Sequence, residues 1–270
     1  MIVFPSCKIN LGLHILGKRA DGFHDIETIF YPINRLSDIL EIIPNHSKNS
    51  FKQKGIYIEN QEDNIVEKAY KLIKEQYDIS PIDIFLYKKI PVGAGLGGGS
   101  SDAACTLKLL NTLFKLGLSS TQLKEYAAQL GSDCSFFVDN IPALGTGRGD
   151  KLSVYPLAQL SGKYIVIVKP DIPISTAQAY KNCKPVQRNV SIEEIISKPL
   201  SSWKNFLEND FEKTIFPDVP ELKKIKENLY NQGAIYASMS GSGSALFGIF
   251  LEQPSFLSFE KDYFIFQGKL

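Results

Sequence analysis

The chain has 270 residues, 44% of them hydrophobic and 22% charged, with 30 basic against 29 acidic side chains. That is the make-up of a soluble globular protein of one large or two modest domains, and a net charge of +1 gives general polyanion binding no support. No stretch approaches the ~18 consecutive apolar residues of a membrane span, and the start MIVFPSCKIN lacks a signal peptide's charged and apolar regions, so a cytoplasmic protein with no nucleic-acid or membrane partner is expected.

In chain order, KINLGLHILGK alternates polar and apolar residues as a strand does, RADGFH carries an Asp-Gly turn signal, and IETIFYPI resumes as strand. EDNIVEKAYKLIKEQY reads as a helix with Asp63 or Asn64 as its cap and Val66, Ala69, Leu72 and Ile73 on one apolar face. IDIFLYKKI alternates again and runs directly into PVGAGLGGGSSDAA. Past the glycines the period becomes helical, with Ala103, Ala104, Leu107, Leu110 and Phe114 on one side and Gly117 as a stop. SSTQLKEYAAQL follows as a second helix, with capping-box spacing between Ser119 and Gln122 and an end at Gly131. LSVYPLAQLSG suggests a domain boundary near residue 155, ahead of the apolar strand KYIVIVKP. PELKKIKENLYNQG reads as a helix opened by Pro220 and closed by Gly233, and AIYASMSGSGSALFGIFL as two strands around a Gly/Ser tip. Strands and helices mix without steady βαβ alternation, which favours an α+β fold.

Cys7, Cys105, Cys134 and Cys183 form no C-x-x-C pair, and His14, His24 and His46 show no ligand spacing. Free thiols are expected, with neither a disulfide framework nor a metal held by the protein.

The glycine stretch decides the function class. A P-loop of the G-x-x-x-x-G-K-[ST] type needs a lysine that is missing here, because Gly99 is followed by Ser100, Ser101 and Asp102. Gly93, Gly95 and Gly98 satisfy G-x-G-x-x-G, but a dinucleotide site also needs a second strand ending in an acidic residue about 20 positions on. KLGLSSTQLKE, a helix-to-helix turn, occupies that place. A third reading fits: five glycines from Gly93 to Gly99 expose backbone N–H groups, and the next helix offers an anion its N-terminal amides. Ser100 and Ser101 add hydroxyls for phosphate or for phosphate-bound magnesium.

PVGAGLGGGSSDAA resembles the P-x-x-x-G-L-G-S/G-S-S-A-A loop of the GHMP small-molecule kinases, which include galactokinase and the homoserine, mevalonate and phosphomevalonate kinases. CKINLGLHILGKRADGFHDIETIF, EDNIVEKA, GSDCSFF, GTGRGD and SGSGSALFG extend the resemblance over nearly the whole chain. With the extra glycine of GLGGGSSDAA, they are similar to the branch acting on a cytidine-diphosphate-linked methylerythritol of non-mevalonate isoprenoid synthesis. The resemblance implies an ATP-dependent kinase for the 2-hydroxyl of that small molecule, with Mg2+ carried by the nucleotide. It also implies a two-domain GHMP kinase fold. Residues 1–155 would resemble ribosomal protein S5 domain 2, and 156–270 a ferredoxin-like sandwich. A monomer or weak homodimer is expected. A homoserine or mevalonate type kinase, or a non-catalytic nucleotide-binding protein, are the alternatives.

Carried over residue by residue, the resemblance assigns the phosphates to Pro91, Gly93, Ala94, Gly95, Leu96, Gly97, Gly98, Gly99, Ser100 and Ser101, and the adenosine to Asn64 and Ile65. It makes Asp133 the base and Lys8 its cationic partner. By local preference alone Asp133 is a helix N-cap and Lys8 a solvent-facing strand lysine. Asn10, two residues on from Lys8, is implied to bind substrate hydroxyls. Phe23 and His24 are implied to meet the cytosine by stacking and edge recognition, with Tyr180 on the opposite face, Thr176 nearby and Phe30 a core residue with an edge in the pocket. Alone, His24 reads equally as a turn histidine. Gly241 and Ser242, with Gly243, resemble the third kinase motif, and alone read as a hairpin tip. Two departures stand out: Ser135 where the family has proline, and Phe23 where it has tyrosine.

Overall fold

A computed structural model describes residues 1–56, 64–255 and 257–270. In chain order the elements are β1 (Ile2–Val3), β2 (Ser6–Lys18), β3 (His24–Ser37), β4 (Ile39–Pro44), β5 (Ser50–Gly55), α1 (Ile65–Lys74), β6 (Ile82–Lys88), α2 (Gly98–Leu113), α3 (Ser120–Leu130) and α4 (Cys134–Asp139). They continue with β7 (Ala143–Thr146), β8 (Lys151–Val154), β9 (Tyr164–Lys169), α5 (Thr176–Asn182), α6 (Ile192–Ile196), α7 (Trp203–Phe206), α8 (Glu212–Asp218), α9 (Pro220–Asn231), β10 (Tyr236–Met239), β11 (Leu246–Phe250) and β12 (Phe264–Lys269). The fold is α+β, as the mixed pattern led us to expect.

The chain divides into two compact units. One takes Met1–Lys8, Pro32–Val92 and Gly97–Ile141, the other Ile9–Tyr31, Gly93–Leu96 and Pro142–Leu270.

In the first unit the sheet order is β1-β4-β6-β5. β6 alternates as its sequence does: Ile82, Ile84, Leu86 and Lys88 face inward while Tyr87 is exposed. Helices α1 and α2 pack on each other, and α2 packs on β4. Asn64 caps α1, its side chain accepting from the Val66 amide at 3.0 Å. Asp63, the other expected cap, lies outside the described residues. Tyr70, rather than Leu72, joins Val66, Ala69 and Ile73 on the buried face. The capping box of α3 is present between Ser119 and Gln122, and Gly131 ends the helix.

In the second unit β9 lies between β11 and β12, and β10 and β11 form the hairpin expected around the Gly/Ser tip. A core of Val166, Val168, Leu222, Ile225, Leu229, Ala237 and Leu246 joins this sheet to α9. Residues 9–18 of β2 and 24–31 of β3 belong here too, with β7 and β8 continuing their sheet in the order β2-β3-β7-β8. The far edge of β2 is closed by distant chain. Leu13 N–H donates to Glu208 O at 2.9 Å, Asp210 N–H to Leu13 O at 2.8 Å and Val186 N–H to Ile15 O at 3.0 Å. The Ile15 amide donates to Asp210 Oδ2 at 2.9 Å, across 195 residues. The polar positions of β2 are therefore interior: Lys8, Asn10 and His14 are all at most 3% exposed. An alternating strand need not have a wet face when both faces are covered.

No helix among the described residues is long and apolar enough to cross a membrane. The four cysteines are free thiols, Cys7, Cys134 and Cys183 of them buried.

Candidate active site

In the first unit the chain leaves β6 through Ile90 and Pro91, and re-enters it at Gly97, the N-cap of α2. Gly97 has φ +70°, a left-handed conformation that suits glycine, and a β-carbon there would lie 2.9 Å from the Phe137 ring and 3.2 Å from Lys8 Cε. The glycine is thus required twice, by its dihedral and by what approaches it. The first helical bond of α2 is Ser101 N–H to Gly97 O at 2.9 Å, so the amides of Gly98, Gly99 and Ser100 point out of the helix end. Among the described residues, a β-carbon on exposed Gly99 would touch only Ile65, at 3.9 Å, which places the start of α1 with Asn64 beside the first turn of α2.

Lys8 and Asp133 meet there, Nζ to Oδ2 at 3.2 Å. The lysine is 3% exposed and the aspartate side chain 33%, so a buried cation holds a carboxylate that remains accessible. Asp133 stands at the N-cap position of α4, but its backbone is helical and its side chain makes no capping bond. Both single-residue readings are corrected: Lys8 is not solvent-facing, and Asp133 does not cap with its side chain. The two serines diverge. Ser100 is partly exposed, and burial pushes the neighbouring Cys134 thiol up to about 11. Ser101 is 1% exposed, near Cys105, whose thiol burial likewise pushes up to about 11. Ser101 also lines a cavity of about 190 Å³ with Val3, Phe4, Lys108 and Asn140. Ser135, the departure from proline, bonds the Lys124 carbonyl at 3.0 Å, an interaction that leaves Asp133 in place.

In the second unit the remaining loop residues are fastened to the β10–β11 hairpin. Ala245 N–H donates to Ala94 O at 3.1 Å and Ser240 Oγ to Gly95 O at 2.9 Å. Gly95 has φ +73°, and a β-carbon on it would sit 2.0 Å from Ser240 O, so no other residue fits. A β-carbon on Gly93 (φ +64°) would meet nothing within 4 Å among the described residues, while Ala94 and Leu96 are buried. Asn209 donates from Nδ2 to both Met239 O and Gly241 O at 2.8 Å, and its Oδ1 accepts from Phe211 N–H at 3.0 Å. Nothing in the sequence around Asn209 marks it out. Asn10 Nδ2 donates to Thr28 Oγ1 at 3.0 Å, and its Oδ1 lies 3.4 Å from where a β-carbon on Gly241 would be. Thr176 and Ser242 share a hydroxyl–hydroxyl hydrogen bond of 2.8 Å.

His24 is stacked on Tyr180 at 5.1 Å between ring centroids, and Tyr180 meets Phe211 edge-on at 4.8 Å. Burial, helped by the charge of Lys18, holds the His24 imidazole below its ordinary value and favours the neutral ring. Phe23 is half exposed, with the Arg148 guanidinium 4.8 Å above its ring. Asp150 holds that guanidinium in turn, accepting from its Nε at 3.3 Å and Nη2 at 3.2 Å. Arg148 lies in GTGRGD, a motif visible in the sequence to which no role was attached. Phe30 is 1% exposed and packs on Gly145 and Gly149, a core residue. No group of three or more His, Cys, Asp or Glu that could hold a metal ion occurs among the described residues.

Comparison with known proteins gives a consistent answer. A family model described as GHMP kinases N terminal domain matches residues 64–147, and one described as GHMP kinases C terminal matches residues 191–257. The chain is 51% identical over 276 residues to a 4-diphosphocytidyl-2-C-methyl-D-erythritol kinase of Bacteroides fragilis, covering 100% of both. It is 50% identical over 278 residues to the kinase of the same name in Bacteroides thetaiotaomicron, again covering 100% of both. A crystal structure of 4-(cytidine 5'-diphospho)-2C-methyl-D-erythritol kinase is similar at a TM-score of 0.80 and 31% identity, over 92% of this chain and 90% of that one.

Proposed function

The chain belongs to the GHMP kinases, among the 4-diphosphocytidyl-2-C-methyl-D-erythritol kinases, and from that premise we propose that it transfers the γ-phosphoryl group of ATP to the 2-hydroxyl of 4-diphosphocytidyl-2-C-methyl-D-erythritol. The observation that carries this reading is the Lys8–Asp133 pair, with the stem of Lys8 against Gly97 at the start of α2. It joins a carboxylate, a cation and a helix end that can bind phosphate.

Asp133 takes the proton of the attacking hydroxyl. The oxygen then bonds to the γ-phosphorus as the bond to the ADP oxygen breaks, and ADP leaves with its electrons. Lys8, 3.2 Å from the carboxylate, lies where negative charge builds on the transferring group. The outward amides of Gly98, Gly99 and Ser100 bind the phosphates. Ser100, whose hydroxyl is the partly exposed one of the pair, would help hold a magnesium ion carried by the phosphates, and that ion would supply neutralisation of phosphate charge.

Asn64 and Ile65 border the adenosine. His24, Tyr180 and Phe23 take the cytosine, with Thr176, Asn10 and Ser242 for hydroxyl contacts. Base stacking of this kind supplies about 1–3 kcal/mol, enough to select a cytidylated substrate over a bare alcohol. The boundary near residue 155 belongs to the same reading, supported by family models that match on either side of it.

Radiolabelled ATP with 4-diphosphocytidyl-2-C-methyl-D-erythritol, homoserine and mevalonate tests the proposal. Label should move to the first alone, and transfer only to homoserine or mevalonate overturns it.

A further inference from the structure

Lys88 is the last residue of β6 and falls in phase with its buried Ile82, Ile84 and Leu86. The strand pattern would be completed by another apolar residue, yet the position holds an ammonium 2% exposed. It is paired with two carboxylates as buried as itself: Asp38, just ahead of β4, and Asp102 on α2, at 2.7 Å from the latter's Oδ2. Burying three ionisable groups carries a large desolvation penalty, and apolar residues of similar volume often do as well for stability. The cluster therefore calls for an explanation other than stability.

Its bonds supply one. Asp38 Oδ1 accepts from the amides of Lys89 and Ile90, at 2.6 and 2.9 Å, the residues by which the chain enters the glycine stretch. Asp102 lies in the early turns of α2, by which the chain leaves it. A β-carbon on Gly98 would meet Ile90 Cγ2 at 2.8 Å and Lys88 Nζ at 3.4 Å, so the first residue of α2 is pressed against both. One ammonium ties the entry of the loop to its exit.

We propose that Asp38, Lys88 and Asp102 form a positioning device for the phosphate loop, with Lys88 holding the outward amides of α2 in the geometry that binds a nucleoside triphosphate. This rests on the reading of the loop as the nucleotide site. Asp102 Oδ1 is buried without a hydrogen-bond partner among the described residues. Burial, with the nearby charge of Asp38, pushes its carboxyl up to about 8 although Lys88 pulls the other way. Burial thus favours the neutral form of Asp102, which lessens the negative charge beneath the helix end.

The test is Lys88→Met, measured by calorimetric titration with a non-hydrolysable ATP analogue, steady-state kinetics and amide hydrogen exchange. The dissociation constant of the analogue and the KM for ATP should each rise tenfold or more. The KM for the cytidylated substrate should change less than threefold, and exchange should quicken at residues 98–102 ahead of the rest of α2. A folded variant whose analogue affinity is within twofold of wild type overturns the proposal, as does faster exchange spread evenly through the first unit. Should Lys88→Met fail to fold, the same readings apply to Lys88→Met combined with Asp102→Leu, which removes one unpaired carboxylate. Wild-type protein that does not bind the analogue sinks the kinase reading itself, whereas equal binding by both proteins sinks only the triad.

Discussion

Asp133 illustrates how one residue type serves two incompatible purposes. Ser, Thr, Asp and Asn cap helices because their side chains fold back onto the first amides, which needs an extended backbone. At Asp133 φ is −82° and ψ −12°, so the carboxylate turns away from α4 and onto Lys8. Nothing local in GSDCSFF separates the two outcomes, because the deciding partner comes from β2. Asp133→Asn keeps the shape and removes the proposed base: turnover should fall by about 10²-fold or more while ATP still binds. Near-wild-type turnover would remove Asp133 from that role. Asp102 makes a second residue-scale prediction. Unfolded, its carboxyl is ordinary; folded, it titrates near 8, so between those values the folded chain holds a proton the unfolded chain has released. Stability from this group is full below the carboxylate range and falls as pH rises through about 8. Urea midpoints measured from pH 5 to 9 should decline more steeply for wild type than for Asp102→Asn, and parallel profiles would contradict the assignment.

At the scale of elements, the glycines separate into those the fold requires and those it does not. Gly95 and Gly97 combine positive φ with neighbours closer than 3 Å to any β-carbon. Among the described residues Gly99 meets neither constraint, and it lies in the first turn of α2, where alanine is favoured by up to about 1 kcal/mol. Gly99→Ala should therefore keep or raise the unfolding midpoint while weakening ATP, its methyl standing in the proposed phosphate site. A variant with unchanged KM for ATP would show that nothing approaches there. Elements of clear period were legible in sequence: β2, β3, β6, α2, α3, α9 and the β10–β11 hairpin all lie where their residues suggested. Helices α6, α7 and α8, of five, four and seven residues, are too short for a 3.6-residue period to repeat, and none was read. The loop was legible from its glycines and the helix that follows them, and Lys8 only by resemblance, while Asn209 and Asp38 carry no local signal at all. Their roles arise only when backbone groups far along the chain arrive beside them.

For the whole molecule, the contact-defined units interleave along the sequence, residues 9–31 belonging with Pro142–Leu270. A fragment ending at residue 155 would leave the β2 edge without Val186, Glu208 and Asp210. Such a fragment should show disordered amide spectra over residues 9–18, and native-like dispersion there would argue that β2 needs no partner. The lone tryptophan, Trp203, is fully buried and lies in the segment between those partners. Its fluorescence will follow the closing of that edge. The same edge sets a timetable for synthesis. β2 leaves the ribosome well before Asp210, which accepts the Ile15 amide and is 195 residues behind it. At about 5–20 residues per second the strand waits roughly 10–40 s with one ladder of amides unanswered. Until those residues are made, the open edge of β2 can pair with any other strand it meets.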